Sequence, residues 1–260
     1  MHVEIAWLAG AGFRLEDSRG RVVFIDPWMD APPGNPGRPA AVKDVRTADL
    51  VLVTHGDPGH YGRGDGVRIA HQCGCVYAAN EALSKFVVSK GLLPPARVRP
   101  LEFGKPNDLG VASVVMFPIV HPPWTPPAGY EIPREPNTGF VITLDGVTIL
   151  FAGDTVLGDN VYRSVCAENK PSVGLLPIGS PAGSHGSIES TVQIVTSIAE
   201  MTGAKYIIPH YNYVSGNPAL GMLRQSLKPI GAELIDLDPG EAVRIDAKLP
   251  SPAKFRRASF

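Results

Sequence analysis

Four apolar stretches of this chain end directly in side chains able to hold a metal ion. The first is Val51-Leu52-Val53-Thr54-His55-Gly56-Asp57-Pro58-Gly59-His60. The others are Val120-His121, Phe151-Ala152-Gly153-Asp154-Thr155 and Ile208-Pro209-His210. Strand ends are rigid and the loops leaving them gather on one edge of a sheet, so ligands from several strands can converge there with the fixed geometry a metal requires. Imidazole together with carboxylate suits Zn2+, Mn2+ or Fe2+. Taken singly, a histidine at a strand end is more often solvated or hydrogen-bonded than a ligand, and an aspartate after glycine is usually a turn residue or a helix cap. Four such ends in register with buried strands point to one shared site.

The elements that must position these groups are short strands alternating with glycine-rich turns. Val3–Leu8, Gly12–Glu16 and Arg21–Ile25 form a predicted antiparallel meander with a tight turn at Ser18-Arg19-Gly20. Leu50–Thr54 is fully apolar until its last residue, which suits the buried middle of a sheet. Further strands are expected at Cys75–Ala79, Val111–Val120, Val173–Pro177, Tyr206–Pro209, Glu233–Ile235 and Ala242–Ile245. Asp145-Gly146 joins Phe140–Leu144 to Val147–Phe151 as a hairpin. Helices are expected at Glu81–Ser89, capped by Asn80 and ended by Gly91, at Ile188–Met201 and at Ala219–Ser226. A long Pro/Gly loop spans Pro32–Pro39.

The 260 residues carry 24 basic and 25 acidic side chains, a net charge of -1, which leaves no overall electrostatic footprint for nucleic acid or an anionic membrane. The 28 glycines and 26 prolines punctuate apolar runs rather than forming a repeat, as turn chemistry in a loop-rich enzyme does. Cys73, Cys75 and Cys166 are odd in number and lack disulfide-framework spacing, so free thiols are expected. Met1–Leu8 has no signal-peptide pattern, and no window approaches the roughly eighteen uninterrupted apolar residues of a membrane span. The expectation is a cytoplasmic protein with one domain over residues 1–246 and a mobile tail over 247–260.

The ordered set of segments resembles the metallo-β-lactamase superfamily, and within it the L-ascorbate-6-phosphate lactonase-like branch of metal-dependent hydrolases. The resemblance rests on Ile25-Asp26-Pro27-Trp28, Ala48 to Gly56, His121, Ala152–Thr155, Leu175–Gly179 and Pro209-His210-Tyr211-Asn212, and runs from about Val3 to Ile245. It implies an α/β fold of the αββα type: two mixed β-sheets face to face, flanked by helices, with metals at one edge. It places His55, His60, His121, Asp154 and His210 at ligand positions, with Asp154 bridging two ions.

The chain departs from the family motif His-x-His-x-Asp-His, for it reads His55-Gly56-Asp57-Pro58-Gly59-His60. Asp57 stands where the second histidine would be and can still coordinate; it shifts preference toward Mn2+ or Fe2+ over Zn2+. Gly59 stands where the family has the aspartate that binds the second metal and orients the attacking hydroxide. One ion is thus expected among His55, Asp57, His121 and Asp154, and a second, with a ligand lost, among His60, Asp154 and His210. The implied activity is hydrolysis of a lactone, ester, amide or phosphodiester in a small molecule by a metal-bound hydroxide, with Asp154 fixing the one or two divalent ions and Asp57 accepting the water's proton. Trp124, His185, Tyr211 and Asn212 are the expected substrate contacts, while Asp26 and Thr155 support the ligands. Two other readings stay open: a non-catalytic member of the fold with a degraded site, and a non-haem-iron redox enzyme built on His60, Asp154 and His210. Nucleic acid and membrane are not expected as partners; a homo-oligomer is left open.

Overall fold

The computed structural model describes residues 1–30, 39–123, 125–156, 160–179, 187–211 and 217–248, and the backbone of 254–257. The N-terminal half forms β1 (His2–Ala9), β2 (Gly12–Asp17), β3 (Val22–Ile25), β4 (Leu50–Val53), α1 (Asp65–Cys73), β5 (Val76–Ala79), α2 (Glu81–Ser89) and β6 (Val98–Pro100). There follow β7 (Pro106–Asp108), β8 (Ser113–Pro118), β9 (Thr138–Leu144), β10 (Val147–Phe151), α3 (Asn160–Asn169) and β11 (Val173–Pro177). The chain continues through α4 (Ile188–Thr202), β12 (Tyr206–His210), α5 (Pro218–Leu227), β13 (Glu233–Leu234), β14 (Glu241–Asp246) and β15 (Lys254–Arg257).

Two mixed sheets result. The first runs β15-β14-β1-β2-β3-β4-β5-β6 and the second β13-β12-β11-β10-β9-β8-β7. In the first, β3 to β6 are parallel neighbours, whereas β15, β14, β1, β2 and β3 pair antiparallel. In the second, β10 to β13 are parallel and β7 to β10 antiparallel. Strand periodicity sorts the side chains into layers, because successive residues point to opposite faces. Leu50 and Leu52 of β4 join Ile5, Phe13, Ile25, Phe140, Phe151 and Ile208 between the sheets. Val51 and Val53 point the other way, to Ile69 of α1 and Leu83 and Val87 of α2. On the opposite outer face, Leu150, Leu176 and Ile207 meet Tyr162 of α3, Val195 and Ile198 of α4 and Leu223 of α5. This is the αββα sandwich that the sequence leads one to expect.

Local chemistry accounts for the boundaries. The Asn80 side chain accepts a 2.9 Å hydrogen bond from the Leu83 N–H and so caps α2. Asp145 and Gly146 both take positive φ, 46° and 78°, as a two-residue hairpin between β9 and β10 requires. Two helices had no clear sequence signal, α1 and α3. The tail expected to be mobile from Ala247 contains β15, paired antiparallel with β14 through Glu241↔Arg257 to Arg244↔Lys254. Except for Pro39, the expected Pro32–Pro39 loop lies outside the described residues. Among the described residues no helix is long and apolar enough to cross a membrane.

Leu52 is wholly buried between the sheets. Leu52→Ala is expected to cost about 2–5 kcal/mol of unfolding free energy in urea titrations. A loss below about 1 kcal/mol would show that the inter-sheet layer is not close-packed there.

Candidate metal centre

The site grows from the end of β4. Thr54 follows the strand directly, and its N–H and hydroxyl donate to the two oxygens of Asp26, at 2.8 and 2.6 Å. Asp26 lies just beyond β3, wholly buried and at φ 42°, and its Oδ2 also lies 2.6 Å from His60 Nδ1. The Thr54 carbonyl receives the Thr138 hydroxyl at 2.8 Å and the Asn80 amide at 3.3 Å, which ties the strand end to β9 and α2. His60 is thereby held with Nε2 turned to Asp154 Oδ2 at 3.0 Å and to the Tyr211 hydroxyl at 2.8 Å. A carboxylate on the far ring nitrogen is the arrangement that fixes the orientation of metal-ligating histidines.

Around this ring the strand-end groups converge. His55 and His60 are wholly buried, with ring centroids 3.9 Å apart, and the His121 ring lies 4.8 Å from that of His55. Two trios place one donor atom each within 4.8 Å of one another: His55, His60 and Asp154, and His55, Asp57 and His121. Asp154 Oδ2 lies 3.7 Å from His121 Nε2, between the trios. Asp154 follows Gly153, whose φ is 57° and where a Cβ would meet the Thr138 carbonyl oxygen at 2.8 Å, leaving no place for a side chain. Within the described residues, His55 Nε2, His121 Nε2 and Asp154 Oδ1 are buried with no hydrogen-bond partner. Buried polar atoms are nearly always satisfied, so such a cluster of donors fits a cation.

The electrostatics fit the same reading. Burial first, then the neighbouring His60, push the His55 pKa well below its ordinary value, which leaves the neutral imidazole that binds metal. Burial would raise Asp154, but His60, His55 and His210 together hold it below the usual carboxylate range. For His60 burial pulls the pKa down, yet Asp154 and Asp26 prevail and raise it to about 10.

Asp57 has a partner of its own. Arg134 engages it through two nitrogens, Nε to Oδ1 and Nη2 to Oδ2, the latter at 3.1 Å. Asp57 Oδ2 is also 3.4 Å from His121 Nε2 and 3.8 Å from His55 Nε2. The segment that carries Arg134 is pressed against the motif: the Tyr130 hydroxyl donates to the Gly56 carbonyl, and a Cβ on Gly56 would lie 2.1 Å from the Pro133 oxygen. A cavity of about 310 Å³ opens beside His121, Pro122, Pro123, Thr125, Arg134 and Asn137.

Of the residues singled out from the sequence, His55, Asp57, His60, His121 and Asp154 come together. His210 belongs to neither trio; its ring lies 5.4 Å from that of Phe151 and 6.1 Å from that of Phe13, close enough for its charge to act on Asp154. The Tyr211 hydroxyl, expected to meet substrate, is buried against the His60–Asp154 pair. Trp124, His185 and Asn212 lie outside the described residues. Sequence reasoning missed Arg134. The only signal for it was indirect: an aspartate in place of a histidine adds a negative charge that some basic residue must balance.

The proton on His60 makes the metal-free protein sensitive to pH. Its folded pKa of about 10 lies above the ordinary 6.5, so the stabilisation is complete below pH 6.5 and is lost as pH rises through about 10. Asp154 works in the opposite sense: held below its ordinary 3.8, it stabilises fully above that pH and less on acidification below it. Metal-stripped protein is therefore expected to resist urea best between about pH 4 and 6.5 and to weaken toward about pH 10. A urea midpoint that stays flat from pH 6.5 upward would mean that His60 is not protonated between its two carboxylates.

Residues 21–211 match the beta-lactamase superfamily domain. A UPF0173 metal-dependent hydrolase of Archaeoglobus fulgidus is 30% identical over 251 residues, covering 92% of this chain and 98% of that protein. Another, of Pyrococcus furiosus, is 28% identical over 246 residues, covering 94% of this chain and all (100%) of the relative. Among solved structures, a metallo hydrolase from Ignicoccus hospitalis superimposes with a TM-score of 0.73 at 22% identity, covering 95% of this chain and 99% of that one. The chain belongs to the metallo-β-lactamase superfamily, in a family of metal-dependent hydrolases.

Proposed function

We propose that the protein hydrolyses a lactone, ester, amide or phosphodiester in a small molecule, using one or two divalent ions held by His55, Asp57, His60, His121 and Asp154. The observation that carries this reading is the gathering of buried donors, three of their atoms without hydrogen-bond partners among the described residues, at strand ends drawn from both sheets. A divalent ion held there would lower the pKa of a water toward neutrality and polarise the scissile oxygen. The carboxylates of Asp57 and Asp154 are hard donors and favour Mn2+ or Fe2+ over Zn2+.

The chain's own residues then divide the work. Asp154 belongs to one trio and lies 3.7 Å from His121 of the other, so it is placed to serve both ions. Asp26 orients His60 from behind. Arg134 donates to both oxygens of Asp57, which holds that carboxylate in place, and it keeps one positive charge beside the cavity. A cavity bordered by Arg134, Thr125 and Asn137 suits a small substrate with a polar or anionic group next to its cleaved bond. The order of Ile25-Asp26-Pro27, Ala48–Gly56, Ala152–Thr155 and Pro209-His210-Tyr211 supports the lactonase-like branch, and the composition supports a cytoplasmic enzyme acting on a soluble metabolite.

Untagged protein purified without added metal is expected to hold about one or two equivalents of a transition metal, and His121→Ala and Asp154→Ala are each expected to lose metal and ester-hydrolase turnover together. Protein that takes up no ion after reconstitution with Zn2+, Mn2+ and Fe2+ would sink the hydrolase reading. Arg134→Gln is expected to weaken metal binding by about 10–100-fold in chelator competition, the usual cost of losing a group that orients a ligand. Unchanged affinity would confine Arg134 to the substrate side.

A further inference from the structure

Gly59 does not need to be glycine for its backbone, since its φ lies outside the left-handed region where glycine is favoured. What it provides is room. A Cβ placed on it would meet the Tyr211 hydroxyl oxygen at 2.9 Å, with the ring carbons next at 3.8 and 3.9 Å. Tyr211 in turn holds an uncommon conformation to bring its phenol there. Its φ is 60°, its N–H is bonded to the Gly10 carbonyl at 3.1 Å, and it is 5% exposed. Non-glycine residues kept in this region cluster at functional sites, where surrounding structure outweighs the strain.

The phenol oxygen ends within a tight group of donors. It lies 2.8 Å from His60 Nε2 and 3.3 Å from Asp154 Oδ2, and those two atoms lie 3.0 Å apart. Ligands about 2.0–2.2 Å from a metal are separated by about 2.9 Å in an octahedron and about 3.3 Å in a tetrahedron. The three atoms therefore already stand at the spacing of one face of a coordination sphere.

On the hydrolase reading above, we infer that Tyr211 is a metal ligand, completing with His60 and Asp154 a second cation site for which Gly59 leaves the space. On binding, the phenol O–H bond and the His60 Nε2–H bond both break, the two protons pass to bulk water, and the freed lone pairs of the phenol oxygen and of Nε2 form the bonds to the ion. Such a donor set has one imidazole and two anionic oxygens, which selects harder ions such as iron or Mn2+. The oxygen that a carboxylate would have supplied from the short motif comes instead from the residue that follows β12, a strand of the other sheet.

The test uses full-length protein loaded with ferrous iron under nitrogen and then oxidised by air, with metal content and visible absorption as readouts. Wild type is expected to bind about two equivalents and to show a phenolate-to-iron(III) charge-transfer band. Tyr211→Phe is expected to lose the band and about one equivalent, keeping the ion at His55, Asp57 and His121. Gly59→Asp combined with Tyr211→Phe, which offers a carboxylate in the vacated space, is expected to regain the second equivalent without the band. If wild type binds iron but Tyr211→Phe keeps the same metal content and spectrum, the phenol is only a hydrogen-bonding neighbour and the inference is overturned while the hydrolase reading stands. If wild type takes up no metal at all, both are overturned.

Discussion

Asp26 is a carboxylate with no contact with water, and most of the candidate centre follows from the way its charge is satisfied. An isolated buried carboxylate costs far more than a folded domain can sustain unless it is paired and hydrogen-bonded. Here the parallel pairing of β3 with β4 carries Asp26 alongside Thr54, so that one backbone N–H, one hydroxyl and one imidazole nitrogen all face it. The same arrangement leaves the His60 ring a single orientation. Its other nitrogen then has to face Asp154 and Tyr211, and the short loop between His55 and His60 is closed by bonds from the His60 and Tyr61 N–H groups to the Asp57 carbonyl. A residue at the end of β3, in the first sheet, thus sets where the second sheet's donors are met.

Both unusual residues of the motif have partners far away in the chain. Asp57 brings a negative charge among buried histidines, and Arg134, 77 residues on, answers it with two hydrogen bonds. Gly59 brings an absence of side chain, and the Tyr211 ring reaches into that space from the end of β12. A motif degraded by loss alone would leave a gap and an unbalanced charge. A cavity at the one position and a buried lone anion at the other would each cost stability. The replacements found here instead keep the site filled and its charges paired.

This pattern also explains what the sequence could and could not tell. The layers were legible because strands such as Leu50–Val53 are apolar on both faces, and because Asp145-Gly146 and Asn80 carry turn and cap chemistry that acts over four residues or fewer. The strand-end histidines were legible because each follows its strand immediately. α1 was not: its buried face includes Asp65 and Gly66, and the glycine is explained only by a neighbour, for a Cβ on Gly66 would stand 3.0 Å from Val51 Cγ1. Tyr211 follows His210 and so read as a substrate contact, and its left-handed backbone turns it to the donors. Arg134 sits in a proline-rich connection with no motif around it. Contacts of that kind depend on tertiary placement, which leaves no local trace in composition or period.

The charge count of the centre decides what the protein does with its histidines. Asp26, Asp57 and Asp154 bring three negative charges into a region with little water, and Arg134 offsets one. In the absence of metal the next cation available is a proton, and it resides on His60, whose pKa is raised to about 10, while His55 beside it is driven neutral. Two histidines whose rings are 3.9 Å apart are thus held in opposite protonation states by the carboxylates around them. Each ring nitrogen of His60 faces a carboxylate, Nδ1 toward Asp26 and Nε2 toward Asp154, so the ring keeps its proton, and a divalent ion would be drawn to the Nε2 side by the field of the same charges. Because the groups that create this field come from the ends of β3, β4 and β10, it exists only once both sheets are folded and packed. The affinity for a cation is therefore a property of the completed sandwich and not of the histidine motif, which is why the motif could change at two positions while the negative, donor-lined centre persisted.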